Sequence, residues 1–269
     1  MKKFVVVPTY NESTNIRQLI DKLFDLGLEN FNVVVVDDNS PDGTSRIVEE
    51  LLPTYPNLYL VERLTDRGRG TAGIVGFDFA LKNGADALVE MDADFSHPPQ
   101  DLPKLFDALS LADIAIASRL HKESRDSRPM RRRILTMIAN RYARFFMERP
   151  KHKSTVKDWT TGFRAYRKEV FETVPPYSLV SQGPSILQEI LLRALNSGLT
   201  AIEIPFTMKD RQAGQSTFNK KIARQSLFSI PCYRILFENL KTFRLPEQYL
   251  TQQNKQRHIT IQKKEDDSR

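Results

Sequence analysis

Short apolar runs alternate with segments of helical periodicity along the first 118 residues. Five runs rich in Val, Ile, Leu and Ala predict strands, at residues 4–7, 32–37, 58–62, 87–91 and 114–117. The stretches between them place apolar side chains at helical spacing, at residues 15–26, 44–52, 71–82 and 100–109. This alternation predicts an α/β fold with right-handed βαβ units, a mostly parallel central sheet and helices on both faces.

The pattern changes after residue 118. A basic, irregular segment (119–157) contains one helix, and it is followed by a helix (185–196), a strand (201–206) and a long amphipathic segment (220–240). Pro231 is expected to kink the amphipathic segment or to divide it into two helices. We therefore predict a single Rossmann-like domain over residues 1–245 that ends in amphipathic helices. Residues 246–269 are polar and are expected to be disordered.

Two of the predicted strands end in acidic residues. Asp92 and Asp94 close the run at 88–94, and they project to the same side because strand residues two apart share a face. The second strand likewise ends in Asp37 and Asp38. Open α/β sheets bind ligands beyond the carboxyl ends of their strands, and paired carboxylates suit Mg²⁺ or Mn²⁺ carrying a diphosphate. The two strands together indicate a nucleotide and metal site, whereas an isolated Asp-x-Asp would be typical of a solvated turn.

Polar residues also follow the first strand. Tyr10 offers a face on which a base can stack, and Glu12 offers an acceptor for base or ribose donors. After the second strand, one carboxylate of the Asp37-Asp38 pair can accept hydrogen bonds from a base. The alternative for both segments is ordinary turn and capping chemistry, with Asn11 as a helix cap.

Positive charge is concentrated in residues 119–157. This segment holds thirteen Lys or Arg and three Asp or Glu, a net charge of +10, so the rest of a chain that totals +7 sums to −3. Such a cluster indicates an anionic partner: phosphate, a lipid headgroup or nucleic acid. Nucleic acid is the weakest of these, because the segment lacks interleaved stacking aromatics and a known binding motif, and because it leaves the Asp pair unexplained.

The helix within this basic segment has two distinct sides. Arg132, Thr136, Asn140 and Arg144 are spaced by four and share a face that suits phosphate. An apolar sector that suits a lipid chain comprises Ile134, Leu135, Ile138, Tyr142, Phe145 and Phe146. An ordinary amphipathic helix packed on the sheet explains this sector equally well. It does not explain the arginines at 131–133, because positive charge is unfavourable at a helix start unless an anion is bound.

The composition indicates a reducing compartment. Cys232 is the only cysteine, so no intramolecular disulfide can form. No apolar run approaches the length needed to span a bilayer, and the first one stops at Pro8, short of a signal peptide. We expect a cytoplasmic protein that is soluble or lies on a membrane surface. The amphipathic segment at 220–240 is a candidate for that contact, with packing on the core as the alternative.

Five motifs occur in an order and spacing that resemble the family 2 glycosyltransferases. They are VVVPTYNE, VVVVDDNSPDGT, GRGTAGIVGF, MDADFSHPP and the Ala-Ser-Arg that closes the fifth strand. Within that family the chain resembles the polyprenyl-phosphate mannosyltransferases over residues 4–240, with further landmarks in DWTTGFR, YRKEV and DRQAGQS. The resemblance implies a GT-A fold, GDP-mannose as donor, polyprenyl (dolichyl) phosphate as acceptor and Mg²⁺ or Mn²⁺ as cofactor.

The resemblance also implies roles for individual residues. Asp92 and Asp94 would bind the metal, near the backbone of Ala93, and Ser96 stands where some relatives carry glutamine. The guanosine would be held by Pro8, Tyr10, Glu12, Val36 and Asp38. The phosphate oxygens of donor or acceptor would meet Arg119, Arg132, Thr136 and Arg211. Of these, the expected catalytic group is Asp92, Asp94, Arg119, Arg132 and Arg211.

One position departs from the family pattern. Thr217 stands where a lysine is common, so a phosphate-directed charge is missing unless Lys220 or Lys221 supplies it. The implied activity is inverting transfer of mannose to polyprenyl phosphate at the cytoplasmic face of a membrane, with a membrane-anchoring subunit as an open question. Two alternatives remain: a polyprenyl-phosphate glucosyltransferase that uses UDP-glucose, and a family 2 enzyme with a soluble hydroxyl acceptor.

Overall fold

A computed structural model describes residues 1–65, 67–147, 155–181, 183, 185–209, 230 and 259–262. The strands are β1 (Lys3–Thr9), β2 (Phe31–Asp37), β3 (Leu58–Arg63), β4 (Ala87–Glu90), β5 (Ile114–Ser118), β6 (Arg125–Asp126), β7 (Arg164–Arg167), β8 (Ala201–Pro205), β9 (Thr207–Met208) and β10 (Ile259–Gln262). The helices are α1 (Ile16–Phe24), α2 (Thr44–Leu51), α3 (Arg69–Lys82), α4 (Leu102–Ala108), α5 (Met130–Met147), α6 (Lys168–Thr173) and α7 (Ile186–Asn196). Single 3₁₀ turns occur at Pro99–Asp101 and Pro176–Ser178.

Eight strands form one sheet in the order β10-β3-β2-β1-β4-β7-β5-β8. β3, β2, β1 and β4 run parallel to one another, as do β5 and β8, while β7 and β10 are antiparallel to their neighbours. A separate ribbon pairs β6 with β9. The predicted α/β class and mostly parallel sheet are therefore confirmed, and the five strands predicted before residue 118 lie close to their expected bounds.

Both faces of the sheet are covered by helices. Along β1, Val5 and Val7 point into a core shared with α1, α2 and α4. Phe4 and Val6 point into a second core shared with α3, α5, α6 and α7. β1, β2, β4 and β5 are apolar in nearly every position because these strands are buried on both sides. Gly76 lets α3 approach β1 closely, since a Cβ there would overlap the side chain of Val6.

β7 was not predicted from the sequence. It lies between β4 and β5 and is antiparallel to both, so these two consecutive strands are not neighbours. Arginines at both ends of the strand conceal its strand character. Arg164 is nevertheless fully buried, because its guanidinium donates to the carbonyl oxygens of Leu187 and Trp159, at 2.7 Å each.

The expectation that residues 246–269 are disordered is wrong for β10. Ile259–Gln262 pair antiparallel with β3, with Ile259 opposite Arg63 and Gln262 opposite Leu60. Two features favour this pairing. The outer edge of β3 offers unpaired backbone groups, and Ile-Thr-Ile has high strand propensity. The rest of this polar tail, and residues 220–240 apart from Ile230, lie outside the described residues.

Candidate active site

The carboxyl ends of β1, β2, β4 and β5 bring the predicted polar residues to one region. Asp94 and Ser96 follow β4 directly, and the backbone turns sharply at Phe95, whose φ is +60°. Asp94 is buried and its Oδ1 accepts a hydrogen bond from the Ser96 backbone N–H at 3.1 Å. Asp92 is less buried, with 32% of its side chain exposed. Ala93 is also buried, so only its backbone is placed to meet a ligand.

Arg69, at the start of α3, contacts the acidic end of β4. Its Nε lies 2.9 Å from Asp92 Oδ1, its Nη2 donates to the same oxygen, and Nη2 lies 3.2 Å from Glu90 Oε1. Glu90 is buried, and this burial raises its pKa to about 7 although the charge of Arg69 acts in the opposite direction. Neither Arg69 nor Glu90 was predicted as a site residue, although Arg69 lies within the motif GRGTAGIVGF.

His97 orients the loop that carries the two carboxylates. Its Nδ1 accepts a hydrogen bond from the Asp92 backbone N–H at 3.0 Å, and its Nε2 lies 3.8 Å from Asp92 Oδ2. The imidazole stacks on Phe163, with ring centroids 4.8 Å apart and planes within 7°. Burial lowers the pKa of His97, so the neutral imidazole can accept at Nδ1. This geometry assigns His97 to loop positioning and commits Nδ1 to the protein.

The donor set at this point suits a hard divalent cation. Two carboxylates after one strand offer the oxygen ligands that Mg²⁺ and Mn²⁺ take. Among the described residues, no group of three or more His, Cys, Asp or Glu side chains is placed to hold a metal. A cation held by Asp92 and Asp94 would therefore complete its coordination with water and with the oxygens of a bound diphosphate.

The two acids after β2 have different surroundings. Asp37 accepts hydrogen bonds from the hydroxyls of Thr9, Ser40 and Ser45, at 2.6–2.9 Å, so it joins β1 to the start of α2. Asp38 Oδ2 accepts from the Gly68 N–H at 2.7 Å, and its Oδ1 lies 3.0 Å from Arg63 Nη1. Burial raises the pKa of Asp38, against the charge of Arg63.

The remaining nucleoside positions line the same edge with different exposure. Tyr10 is exposed and presents its ring to solvent, and Pro8 is partly buried. Glu12 accepts a hydrogen bond from Asn15 Nδ2 at 2.8 Å, so part of its carboxylate serves the start of α1. Val36 is fully buried in the core, and its expected contact with the nucleoside stays a prediction.

Arg119 follows β5 and is held rigidly by Asp158. The two form a buried ion pair in which Nη2 lies 2.6 Å from Oδ1, and Nε lies 2.8 Å from Oδ2. Burial alone would raise the pKa of Asp158, but the Arg119 contacts outweigh it and hold this pKa at about 2. Asn140 and Thr160 complete the network around the pair. The sequence indicated Arg119 for phosphate, and the structure adds the carboxylate that orients it.

Arg128 is a second oriented arginine that sequence reasoning missed. It forms a bidentate contact with Asp126, at 2.9 Å for Nε and 2.7 Å for Nη2. Nη2 also donates to the hydroxyl of Thr136 at 3.1 Å. Because Thr136 Oγ1 accepts from Arg128, its own proton is available to a phosphate oxygen. Thr136 was expected to meet phosphate, and the described contacts place a guanidinium directly beside it.

α5 is folded with its polar face inward. Its buried residues are Thr136, Asn140, Ala143 and Met147. Its exposed residues include Met130, Ile134, Leu135, Met137, Ile138 and Phe145, each of which is 49–72% exposed. Of the expected apolar sector, Ile134, Leu135, Ile138 and Phe145 are exposed, whereas Tyr142 and Phe146 are partly buried against the core, as the alternative of an ordinary amphipathic helix expects. Arg132 lies at the exposed start of the helix, and Arg211 lies outside the described residues.

The comparisons with known proteins agree with this arrangement. Residues 4–174 match the family described as glycosyl transferase family 2. Polyprenol monophosphomannose synthase of Mycolicibacterium smegmatis is 35% identical over 232 residues, which cover 85% of each chain. Undecaprenyl-phosphate mannosyltransferase of Micrococcus luteus is 31% identical over 231 residues, covering 86% of this chain and 93% of the relative.

A solved structure supports the GT-A type of fold. Glucosyl-3-phosphoglycerate synthase of Mycobacterium tuberculosis, in complex with Mn²⁺, UDP and glucosyl-3-phosphoglycerate, matches with a TM-score of 0.62 over 86% of this chain and 79% of its own. Its sequence identity is 18%, so this likeness concerns the fold alone. The family match and the two mannosyltransferase relatives carry the assignment further. The chain belongs to glycosyl transferase family 2, and it is similar over most of its length to relatives that are named as mannosyltransferases of polyprenyl phosphates.

Proposed function

We propose that this protein transfers mannose from GDP-mannose to a polyprenyl phosphate such as dolichyl phosphate, with inversion at the anomeric carbon. The names of its relatives support the lipid acceptor and the sugar. The observation that carries the proposal is the surface of α5. This helix exposes several large apolar side chains next to oriented arginines, which suits a substrate that combines a phosphate with a long hydrocarbon chain.

The donor side of the reaction belongs to the loops after β1, β2 and β4. Asp38 and Glu12 offer acceptors for the base and ribose, and Tyr10 offers a stacking face. Asp92 and Asp94 would hold the divalent cation, which when bound compensates charge on the leaving diphosphate. His97 and Arg69 hold Asp92 in its place through hydrogen bonds to its backbone and carboxylate.

The acceptor side belongs to the arginines after β5. Arg119 and Arg128 are each fixed by a buried or nearly buried carboxylate, so their directions are set before substrate binds. With Arg132 and the Thr136 hydroxyl they would bring the acceptor phosphate in line with the anomeric carbon. This is catalysis by positioning and by electrostatic compensation of two anionic substrates. A phosphate acceptor is already ionised near neutral pH, so no strong general base is needed.

The membrane contact is assigned to α5. Its exposed apolar side chains would enter the interface of the bilayer, and arginines 131–133 and 141 on the same helix would meet anionic headgroups at the cytoplasmic face. Among the described helices, none has the length and apolar character required to cross a bilayer. Residues 220–240 were the expected site of this contact, and they lie outside the described residues. A membrane-anchoring subunit would be an additional partner.

A donor and acceptor panel tests the proposal. Radiolabelled GDP-mannose or UDP-glucose is incubated with Mg²⁺ or Mn²⁺ and either a polyprenyl phosphate or a soluble sugar acceptor, and the label in the organic phase is counted. We expect extractable label from GDP-mannose with polyprenyl phosphate. Preferential use of UDP-glucose would make the enzyme a polyprenyl-phosphate glucosyltransferase. Label on the soluble acceptor alone would overturn the lipid assignment.

A further inference from the structure

Arg69 is held by its surroundings against the loop after β4 that carries Asp92 and Asp94, which we call the acidic loop. Its guanidinium donates to Asp92 Oδ1 through both Nε and Nη2, and it lies 3.2 Å from Glu90 Oε1. Gly162 makes room for the guanidinium, because a Cβ there would lie 2.8 Å from Arg69 Nη2. Gly73 makes room for Glu90 in the same way, because a Cβ there would lie 2.9 Å from Oε2.

The position of this cation is unfavourable for α3 itself. Arg69 is the first residue of a helix of 14 residues, where the helix dipole favours negative charge. The side chain remains 30% exposed, so it does not serve simply to fill the core. Its favourable interactions are with the carboxylates at the end of β4, including the longer-range charge of Asp94. The location of Arg69 is therefore explained by the acidic loop and by nothing in its own helix.

We propose that Arg69 is an internal counter-cation that competes with the divalent metal for Asp92 and makes metal binding depend on the nucleotide. This inference rests on the metal site of the proposed function. The Arg69 guanidinium contacts Asp92 Oδ1, so a metal that binds this oxygen must displace an existing ion pair. With donor, the diphosphate adds oxygen ligands for the metal and offers the released guanidinium a new anionic partner. Metal and nucleotide are thereby bound together.

The test measures Mn²⁺ binding directly, by the loss of the free Mn²⁺ signal in electron paramagnetic resonance, with and without GDP. Arg69→Met removes the charge and keeps an unbranched side chain, and Arg69→Lys keeps the charge without the two-pronged contact. Arg46→Met is the matched control, because Arg46 is an exposed helical arginine that contacts only Glu50 among the described residues. Circular dichroism and thermal unfolding verify that each variant is folded.

Removal of one opposite charge in contact with a carboxylate changes the affinity of that carboxylate for a cation by about tenfold or more. We therefore expect Arg69→Met to bind Mn²⁺ at least about tenfold more tightly than wild type when GDP is absent. The gain in affinity that GDP produces should shrink by a similar factor. Arg69→Lys should fall between the two, and Arg46→Met should match wild type.

Two results separate this inference from the proposed function. If Arg69→Met binds Mn²⁺ no more tightly than wild type without GDP, while wild type still binds Mn²⁺ with GDP, Arg69 is only a support for Asp92 and the inference is overturned. If a folded wild-type protein binds no Mn²⁺ even with GDP, the metal site itself is wrong. Weaker binding by a folded Arg69→Met also contradicts competition.

Discussion

Asp92 and Asp94, in the acidic loop after β4, differ in their burial and in their contacts. Asp94 is buried and receives the Ser96 N–H, whereas Asp92 is partly exposed and is contacted by Arg69 and His97. The hydrogen bond from the Asp92 backbone N–H to His97 Nδ1 holds the loop without the Asp94 charge, and an amide at position 94 can still accept the Ser96 N–H. Loss of that charge should therefore affect ligand binding more than folding.

The first prediction is that Asp94→Asn lowers turnover by roughly 10²–10³-fold, the range typical for loss of one preorganised electrostatic group. The thermal unfolding temperature should stay near that of wild type, because the amide can still accept the Ser96 N–H. Steady-state rates at saturating and at limiting Mn²⁺ measure the effect, and the exposed Asp107→Asn is the control. Wild-type turnover in Asp94→Asn at limiting Mn²⁺ would remove this residue from the metal site.

The second prediction concerns Asp158 and acid stability. Its pKa is about 2 in the folded chain and about 3.9 when unfolded, so the Asp158–Arg119 pair stabilises the fold above about pH 4. That contribution is lost progressively as the pH falls from about 4 to about 2. Asp158→Asn should cost about 3–5 kcal/mol of unfolding free energy at neutral pH, because it leaves a buried arginine unpaired.

Denaturant unfolding between pH 2 and pH 7 checks this expectation. The difference in stability between wild type and Asp158→Asn should narrow as the pH falls below about 4, because the wild-type carboxylate is then protonated. A constant difference across that range would mean that Asp158 does not titrate with a lowered pKa in the native protein. The control variant Asp107→Asn keeps the Asp158–Arg119 pair, so its stability should follow that of wild type as the pH falls.

At the scale of elements, α5 reverses the usual orientation of an amphipathic helix. Thr136 and Asn140 face inward because Arg128, Asp158 and Trp159 provide hydrogen-bonding partners for them. This arrangement leaves Ile134, Leu135, Ile138 and Phe145 exposed. Helical periodicity separates the two sides of such a helix but does not say which side is buried.

The third prediction tests α5 as the membrane contact. The double variant Ile134→Ser with Ile138→Ser should bind anionic vesicles roughly tenfold less well, because two apolar side chains no longer enter the interface. Thermal stability should be nearly unchanged, since both side chains are exposed. Vesicle sedimentation measures binding, and Leu111→Ser, at an exposed leucine outside α5, is the control. Unchanged sedimentation, or loss of stability instead, would show that α5 does not face lipid.

Other elements show where sequence reasoning succeeds. The first five strands were predicted because each is an apolar run bounded by turn residues, and the acids at the ends of two of them are the basis for the predicted ligand edge. β7 and β10 were missed because their partners are distant in the chain and their own sequences are polar or short. Arg69 and Arg128 were missed for a similar reason. Their roles depend on carboxylates, Asp92 and Asp126, that only the folded chain brings into contact with them.

For the whole molecule, the sheet places the groups proposed to bind donor and acceptor on one edge. Loops after β1, β2 and β4 supply the acidic side chains and those proposed to bind the nucleoside, and the segment after β5 supplies arginines whose carboxylate partners orient them. α5 then presents an apolar surface beside those arginines. The central claim is that these groups serve a phosphate acceptor carried by a lipid, and that mannose is attached to that phosphate.

The most direct measurement compares two acceptors that differ only in the phosphate. Wild-type enzyme is incubated with radiolabelled GDP-mannose, Mg²⁺ and either a polyprenyl phosphate or the corresponding free polyprenol, and the lipid phase is counted. The oriented arginines suit a phosphate, and an ionised phosphate needs no general base, whereas an alcohol acceptor would need one. We therefore expect transfer to the polyprenyl phosphate and essentially none to the alcohol. Equal labelling of the free polyprenol, or no labelling of the phosphate, would contradict the account.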